Sequence, residues 1–357
     1  MIQRQDRIEK RSDNRNSVLR FAFTILLLAL QVAWLVFMVV NLEERWPWIG
    51  VLITYVTLFV AMGIYCRDMN SAFKIAWMTL TLTVPVLGLI LYVLIGRKDA
   101  NKGMKEHFCE VERGMQDLLR QDMAVMEALE KKDPVLKNEF RYVWWAAGKP
   151  VYSNTDVWYF PDAAEAFRVQ LNALRNAKHF IFMEYYAIED RESFGKVKHI
   201  LHQKVKAGVE VRLFYDEIGS MRFLTDRFIR QMESLGVQCR VFNPVSPLLN
   251  LFMNNRDHRK IMVVDNELGF TGGYNLANEY FHITEPYGYW KDTGIMLRGD
   301  AVQSLTHQFL EMWNCMEETD TDFMRYLVIP PYAAKGSAFV QPYSFTPMRR
   351  ERLAEDV

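Results

Sequence analysis

Three apolar runs open the chain, and alternating strand-like and helix-like segments fill the remainder. Phe21 to Val40 has no formal charge over twenty residues, long enough at 1.5 Å per residue for a hydrocarbon core of about 30 Å. Trp48 to Cys66 and Ile75 to Ile95 are two more such runs, the last interrupted by Pro85, which membrane helices tolerate better than soluble ones. The polar tail at residues 1–20 and the lack of a small-residue cleavage site argue against a signal peptide. The pattern predicts a transmembrane region at 21–96, with two or three helices and a multi-pass topology. Residues 1–20 carry six Lys/Arg, and the link Asn41 to Pro47 holds Glu43 and Glu44, so the amino terminus is expected on the cytosolic side. Three full spans would then place Arg97, Lys98, Lys102 and Lys105 outside, against the same rule. The signals conflict unless one run is re-entrant or interfacial, and the sequence does not say which.

Beyond the apolar runs, 97–140 reads as a charged helical connector. The segment 141–335 reads as one α/β domain. His179 to Ile188, Val209 to Tyr215, Val237 to Phe242 and Lys260 to Val264 are strand-like; Phe194 to Lys206, Phe223 to Leu235 and Ala301 to Cys315 are helix-like. Strands alternating with helices predict crossover connections and a largely parallel sheet covered on both faces.

Composition narrows the function classes. Lys+Arg and Asp+Glu are equal at 43, and from Arg97 onward 34 basic residues face 37 acidic ones. A protein that holds nucleic acid through its phosphates would show a basic surplus, so no nucleic-acid partner is expected. The four cysteines (Cys66, Cys109, Cys239, Cys315) are far apart and form no C-x-x-C pair, which removes zinc-ribbon and thioredoxin-like readings.

One string carries chemistry: His258-Arg-Lys260, then Asp265, then Gly272-Gly273-Tyr-Asn275. On an extended strand His258 and Lys260 point to one face and Arg259 to the other. An imidazole at a strand edge suits a nucleophile or general acid near neutral pH. A neighbouring ammonium can hold a phosphate oxygen, two glycines admit close backbone approach, and Asn275 offers an amide donor. Lys260, Asn275 and backbone N–H groups balance a phosphate charge without a metal or other cofactor. Asp265 is expected to orient a neighbouring imidazole or keep it charged. Glu184 and Asp216, at the ends of neighbouring strands, are candidates for supporting roles. Arg256, Arg259 and Lys260 form a local basic patch.

The string resembles the phospholipase D superfamily signature His-x-Lys-x4-Asp-x6-Gly-Ser-x-Asn, with Gly273 in the serine place. Its surroundings are similar to the bacterial cardiolipin synthases. The stretches concerned are Val84 to Gly96, Met183 to Ile188, Gly208 to Asp216 with Ile218-Gly-Ser220, Phe270 to Tyr280 and Tyr289 to Thr293. The resemblance implies a phospholipase D-like α/β/α sandwich in the bacterial plasma membrane. It also implies phosphatidyl transfer between two phosphatidylglycerol molecules, giving cardiolipin and glycerol. His258 would attack phosphorus or protonate the leaving oxygen, Lys260 and Asn275 would bind phosphate, and Asp265 would complete the catalytic cluster.

The sequence departs from that family in holding one copy of the motif where the family has two. None of His107, His179, His199, His202, His282 and His307 heads a second His-x-Lys-x4-Asp. The segment 336–357 is read as a truncated tail. Activity is therefore expected to need a second motif from a dimer mate or another chain. The rival readings are a weak or inactive membrane protein that keeps a lipid-headgroup site, and a dimeric single-motif phosphodiesterase or nuclease.

Overall fold

The computed structural model describes residues 46–67, 71–96, 102–224, 227–243, 256–317, 319–346 and 348, with scattered positions between 25 and 41. The tail 1–20, most of the apolar run 21–40 and most of 347–357 lie outside the described residues. The chain divides into two compact units, the first ending at Lys102 and the second beginning at Gly103.

In the first unit, helix α1 (Pro47–Tyr65) has proline at its first turn, where no backbone N–H is needed. Its stretch Trp48–Tyr65 is the one helix among the described residues long and apolar enough to cross a membrane. The run Ile75 to Ile95, expected as a single span, is not one helix. It is divided into α2 (Ser71–Thr83), α3 (Pro85–Leu91) and a π-helical segment at Tyr92–Gly96. Pro85 causes the break. It cannot donate to the helical ladder and drives the residue before it out of the α region, and Val84 accordingly sits at φ −131°, ψ 74°.

The second unit opens with α4 (Lys102–Met115), α5 (Met123–Lys132) and α6 (Pro134–Ala147). These helices do more than connect: Phe108, Val111 and Met115 of α4 are buried in a core cluster of the α/β domain. The domain then runs β1 (Thr155–Phe160), α7 (Ala163–Asn176), β2 (Phe180–Tyr185), α8 (Glu192–Lys206), β3 (Glu210–Asp216), α9 (Glu217–Ser220) and α10 (Phe228–Ser234). It continues with β4 (Gln238–Phe242), β5 (Lys260–Val264), β6 (Leu268–Gly272), β7 (Gly294–Gly299) and α11 (Val302–Met316).

The seven strands form one sheet in the order β1-β7-β6-β5-β2-β3-β4. Only β2-β3 and β3-β4 are parallel; the pairs β2-β5, β5-β6, β6-β7 and β7-β1 are antiparallel. The expectation of a largely parallel sheet is therefore corrected to a mixed one. The link from Val264 to Leu268 is too short for a helical crossover and must reverse the chain. Asp265 and Asn266 make that reversal at φ 55° and 52°, left-handed values that Asp and Asn adopt more readily than most residues. Strands β1 and β7 at the antiparallel edge add to the strands that the sequence pattern predicts. The central strands read as continuous apolar runs because both faces are covered, as the wholly buried β2 illustrates.

Two cores sandwich the sheet. Phe167, Leu174, Phe194, Val197, Phe228 and Met232, from α7, α8 and α10, pack on Met183, Leu213 and Met262. Across the sheet, Phe309, Leu310 and Trp313 of α11 join α4 against Phe182, Phe214 and Val263. Residues after 335 pack as well. Tyr152 and Val340 exchange backbone hydrogen bonds at 2.9 Å, and the Gln341 amide donates to Lys149 O at 2.7 Å.

Candidate active site

Strand polarity gathers the chemistry at one end of the sheet. The C-terminal ends of β2, β3 and β6 lie beside the N-terminal ends of β5 and β7. Tyr185 pairs with Lys260, and Gly272 pairs with Gly294. Crevices at the C-terminal ends of strands are the usual ligand position in open α/β sheets.

His258 precedes β5, is exposed, and packs its ring 4.6 Å from that of Tyr186. Lys260 is 5% exposed; its Nζ donates to His258 O at 2.6 Å and stands 5.4 Å from the Tyr186 ring. Partial burial, then the Lys260 charge, holds the imidazole below its ordinary pKa. Burial also brings the Lys260 ammonium down to about 8, while Asp257 and Asp292 partly offset it. The pair thus offers a neutral imidazole beside a cation at neutral pH. Asn275 is buried; its Oδ1 accepts from Ala187 N at 3.0 Å and its Nδ2 donates to Tyr280 Oη at 3.0 Å.

The approach to His258 is tied to β3 through Asp216. Asp216 Oδ2 accepts from Asp257 N at 3.0 Å, and its Oδ1 accepts from Arg256 Nη1 at 3.3 Å and Ile218 N at 2.9 Å. Desolvation raises the pKa of this wholly buried carboxyl. Asp216 is thus placed to fix the backbone on which His258 sits.

The other candidates are not brought together in this way. Asp265 lies at the far end of β5, about 17 Å from Lys260 at 3.3 Å per residue. Its carboxylate accepts from the backbone N–H of Lys178, His179 and Phe180 at 2.7, 2.7 and 2.8 Å. It fixes a turn and cannot orient His258. Glu184 is fully buried on the opposite face of the sheet, with its Oε1 2.6 Å from Arg259 Nη2. Arg259 turns away from His258 as strand alternation requires, and its Nε donates to Asp257 Oδ1 at 2.9 Å. It is therefore spent on buried ion pairs and adds nothing to a surface basic patch with Arg256 and Lys260. On this inner face Lys149 Nζ donates to Glu311 Oε1 at 2.8 Å and lies 2.9 Å from His307 Nδ1.

Asp292 is a site residue that motif spacing does not reveal. Its carboxylate lies against Gly273, where a Cβ would collide with it. Glycine at 273 lets that carboxylate lie against the backbone, and a larger residue would have to displace it. Nothing local to the motif marks Asp292, which comes in with the antiparallel strand β7.

Residues 171–313 match the family described as cardiolipin synthase, PLD-like domain, and residues 48–97 match the phospholipase D-nuclease N-terminal family. The domain belongs to the phospholipase D superfamily. The chain is 33% identical over 267 residues to a cardiolipin synthase of Halalkalibacterium halodurans, covering 74% of this chain and 53% of that protein. It is 30% identical over 308 residues to cardiolipin synthase 2 of Staphylococcus epidermidis, covering 83% and 61%. The chain thus spans a little over half the length of these relatives. Among solved structures, a phospholipase D family member, Nuc, from Salmonella typhimurium matches 45% of this chain and 93% of its own, at 21% identity and TM-score 0.33.

Proposed function

We propose that the chain is a membrane-bound phosphatidyltransferase of the cardiolipin synthase type, acting between two phosphatidylglycerol molecules in the bacterial plasma membrane. The observation that carries this reading is the exposed His258 beside the buried ammonium of Lys260, within a domain of that family. The imidazole nitrogen of His258 attacks the diester phosphorus, and the bond from phosphorus to the departing glycerol oxygen breaks. The glycerol oxygen takes a proton from a general acid. A hydroxyl of the second phosphatidylglycerol then attacks phosphorus while giving its proton to the group that acted as the acid, the nitrogen–phosphorus bond breaks, and cardiolipin leaves. Lys260, Asn275 and the backbone at Gly272 and Gly273 hold the phosphate, and Asp216 positions the His258 segment.

The general acid is a second histidine of the same kind, supplied by a dimer mate or another chain that carries the motif. Such acid–base help contributes about 10²–10⁴ in rate, so a lone monomer turns over slowly. The apolar run at 21–40 provides a second membrane pass. The chain, expressed in cells lacking cardiolipin, is expected to yield the lipid by mass spectrometry, and His258→Ala none. Product from that variant at the level of the unaltered protein overturns the reading.

A further inference from the structure

Residues 71–96 double back on themselves. Thr81 and Gly88 are in backbone contact: a Cβ on Gly88 would lie 2.6 Å from Leu80 O and Thr81 Cα, so only glycine permits the approach. One step further from the break, the rings of Trp77 and Tyr92 meet edge to face at 5.6 Å. A Cβ on Gly96 would lie 3.0 Å from the Trp77 ring. The contacts 81–88 and 77–92 share one centre at Val84 and Pro85, which is the register of two antiparallel arms. Arm α2 has 13 residues; α3 and the π segment have 7 and 5. Each arm is therefore about 18–20 Å long, well short of a hydrocarbon core of about 30 Å.

The hairpin is nonetheless suited to lipid. Phe73, Ile75, Leu82, Val84 and Val93 are all exposed, an apolar exterior that water disfavours. The hydroxyls of Thr81 and Thr83 donate within the helix to Trp77 O and Thr79 O, both at 2.8 Å, as a medium without water requires.

We propose that residues 71–96 form a re-entrant hairpin, dipping into one leaflet and leaving by the side it entered, and that this side is cytosolic. The charges choose the side. Glu43 and Glu44 precede α1, whereas Arg67 and Lys74 follow it, and Arg97, Lys98, Lys102 and Lys105 follow the hairpin. A full third span would carry those last four across the membrane; the hairpin keeps every basic cluster inside. The phospholipase D-like domain then meets phosphatidylglycerol of the cytosolic leaflet. The inference rests on the membrane-bound reading above.

The protein's own cysteines provide the test. Exposed Cys66 follows α1 and partly buried Cys109 follows the hairpin, while Cys239 and Cys315 are buried. A membrane-impermeant maleimide is applied to the full-length protein in spheroplasts and in inverted vesicles, with Cys66→Ser and Cys109→Ser assigning each label. Both cysteines are expected to react in inverted vesicles and neither in spheroplasts, with a Glu43→Cys variant showing the reverse. Where either native thiol is silent from both sides, Arg67→Cys or Lys102→Cys takes its place. Cys66 and Cys109 labelling from opposite sides in a protein that resists alkaline carbonate extraction overturns the hairpin alone. Release of the protein by carbonate overturns the membrane-bound reading with it.

Discussion

The two ends of β5 belong to one sequence motif and have opposite surroundings. At the entry, His258 is open to solvent and Lys260 has its ammonium brought down to about 8 by burial. At the exit, Asp265 is saturated by three backbone N–H groups. The difference shows how far spacing can be read. Two residues apart on a strand guarantees a shared face, but five further residues carry a side chain to the other end of the sheet. The motif therefore specifies a strand with one chemical end and one architectural end.

The largest expected effect breaks the comparison at its open end. His258→Ala should lower phosphatidyl transfer by about 10³-fold or more by removing the nucleophile, and in a homodimer the proton carrier with it. Because the side chain is exposed, the thermal midpoint should hardly move. Next in size is Arg259→Met, which leaves Asp257 without its buried cation and should cost about 3–5 kcal/mol of stability, read as a shift of the denaturation midpoint. If that variant stays as stable as the unaltered protein, the inner-face ion pairs contribute little to holding the approach to His258.

The pH profile sharpens the same end. Attack requires a neutral imidazole, so the rate should rise as pH passes through the lowered pKa of His258. The proton-donating second histidine loses its proton first, and because phosphate binding requires charged Lys260 the rate should fall a further tenfold or so per pH unit above about 8. Lys260→Arg should carry that alkaline limb upward, since guanidinium stays charged. A limb that stays near 8 in the variant assigns it to another group. At the closed end, Asp265→Ala frees three backbone donors, two of them near solvent, and should cost about 1–3 kcal/mol of stability. Turnover per folded molecule should be unchanged. A folded but inactive Asp265→Ala would restore Asp265 to the catalytic cluster.

Much of this arrangement is legible in the sequence where local pattern decides it. The run at β2 is apolar on both faces but for Glu184 and announces a central strand, β3 alternates Val211, Leu213 and Tyr215 with a mostly charged face, and β5 reads as Lys260 to Val264. The shared face of His258 and Lys260, and the departure of Arg259 from it, follow from the pleat alone. The parts that local pattern does not announce depend on pairing. Strand β1 alternates only weakly, with Val157, Trp158 and Tyr159 exposed, and β7 is bounded by glycines. Without those strands the sheet looks parallel and Asp292 has no address near Gly273. Glu184 was legible as a strand-end carboxylate but not as a buried one, because burial there comes from α11, far along the chain.

That buried carboxyl gives the smallest and most discriminating effect. Desolvation, opposed by the Arg259 guanidinium and reinforced by Asp257, pushes Glu184 well above the usual carboxylate range, towards its protonated form. A neutral amide of nearly the same shape reproduces that state. Glu184→Gln should therefore change stability by less than about 1 kcal/mol, whereas Glu184→Ala, which removes the partner of Arg259 and leaves a void, should cost about 2–4 kcal/mol. If Gln proves as costly as Ala, Glu184 is ionised, and the inner face is held by a charged pair with Arg259. The network would then weaken on acidification as that carboxylate takes up its proton. Near-neutrality of Gln instead means that the single positive charge of Arg259 is balanced chiefly by Asp257, the residue directly before His258.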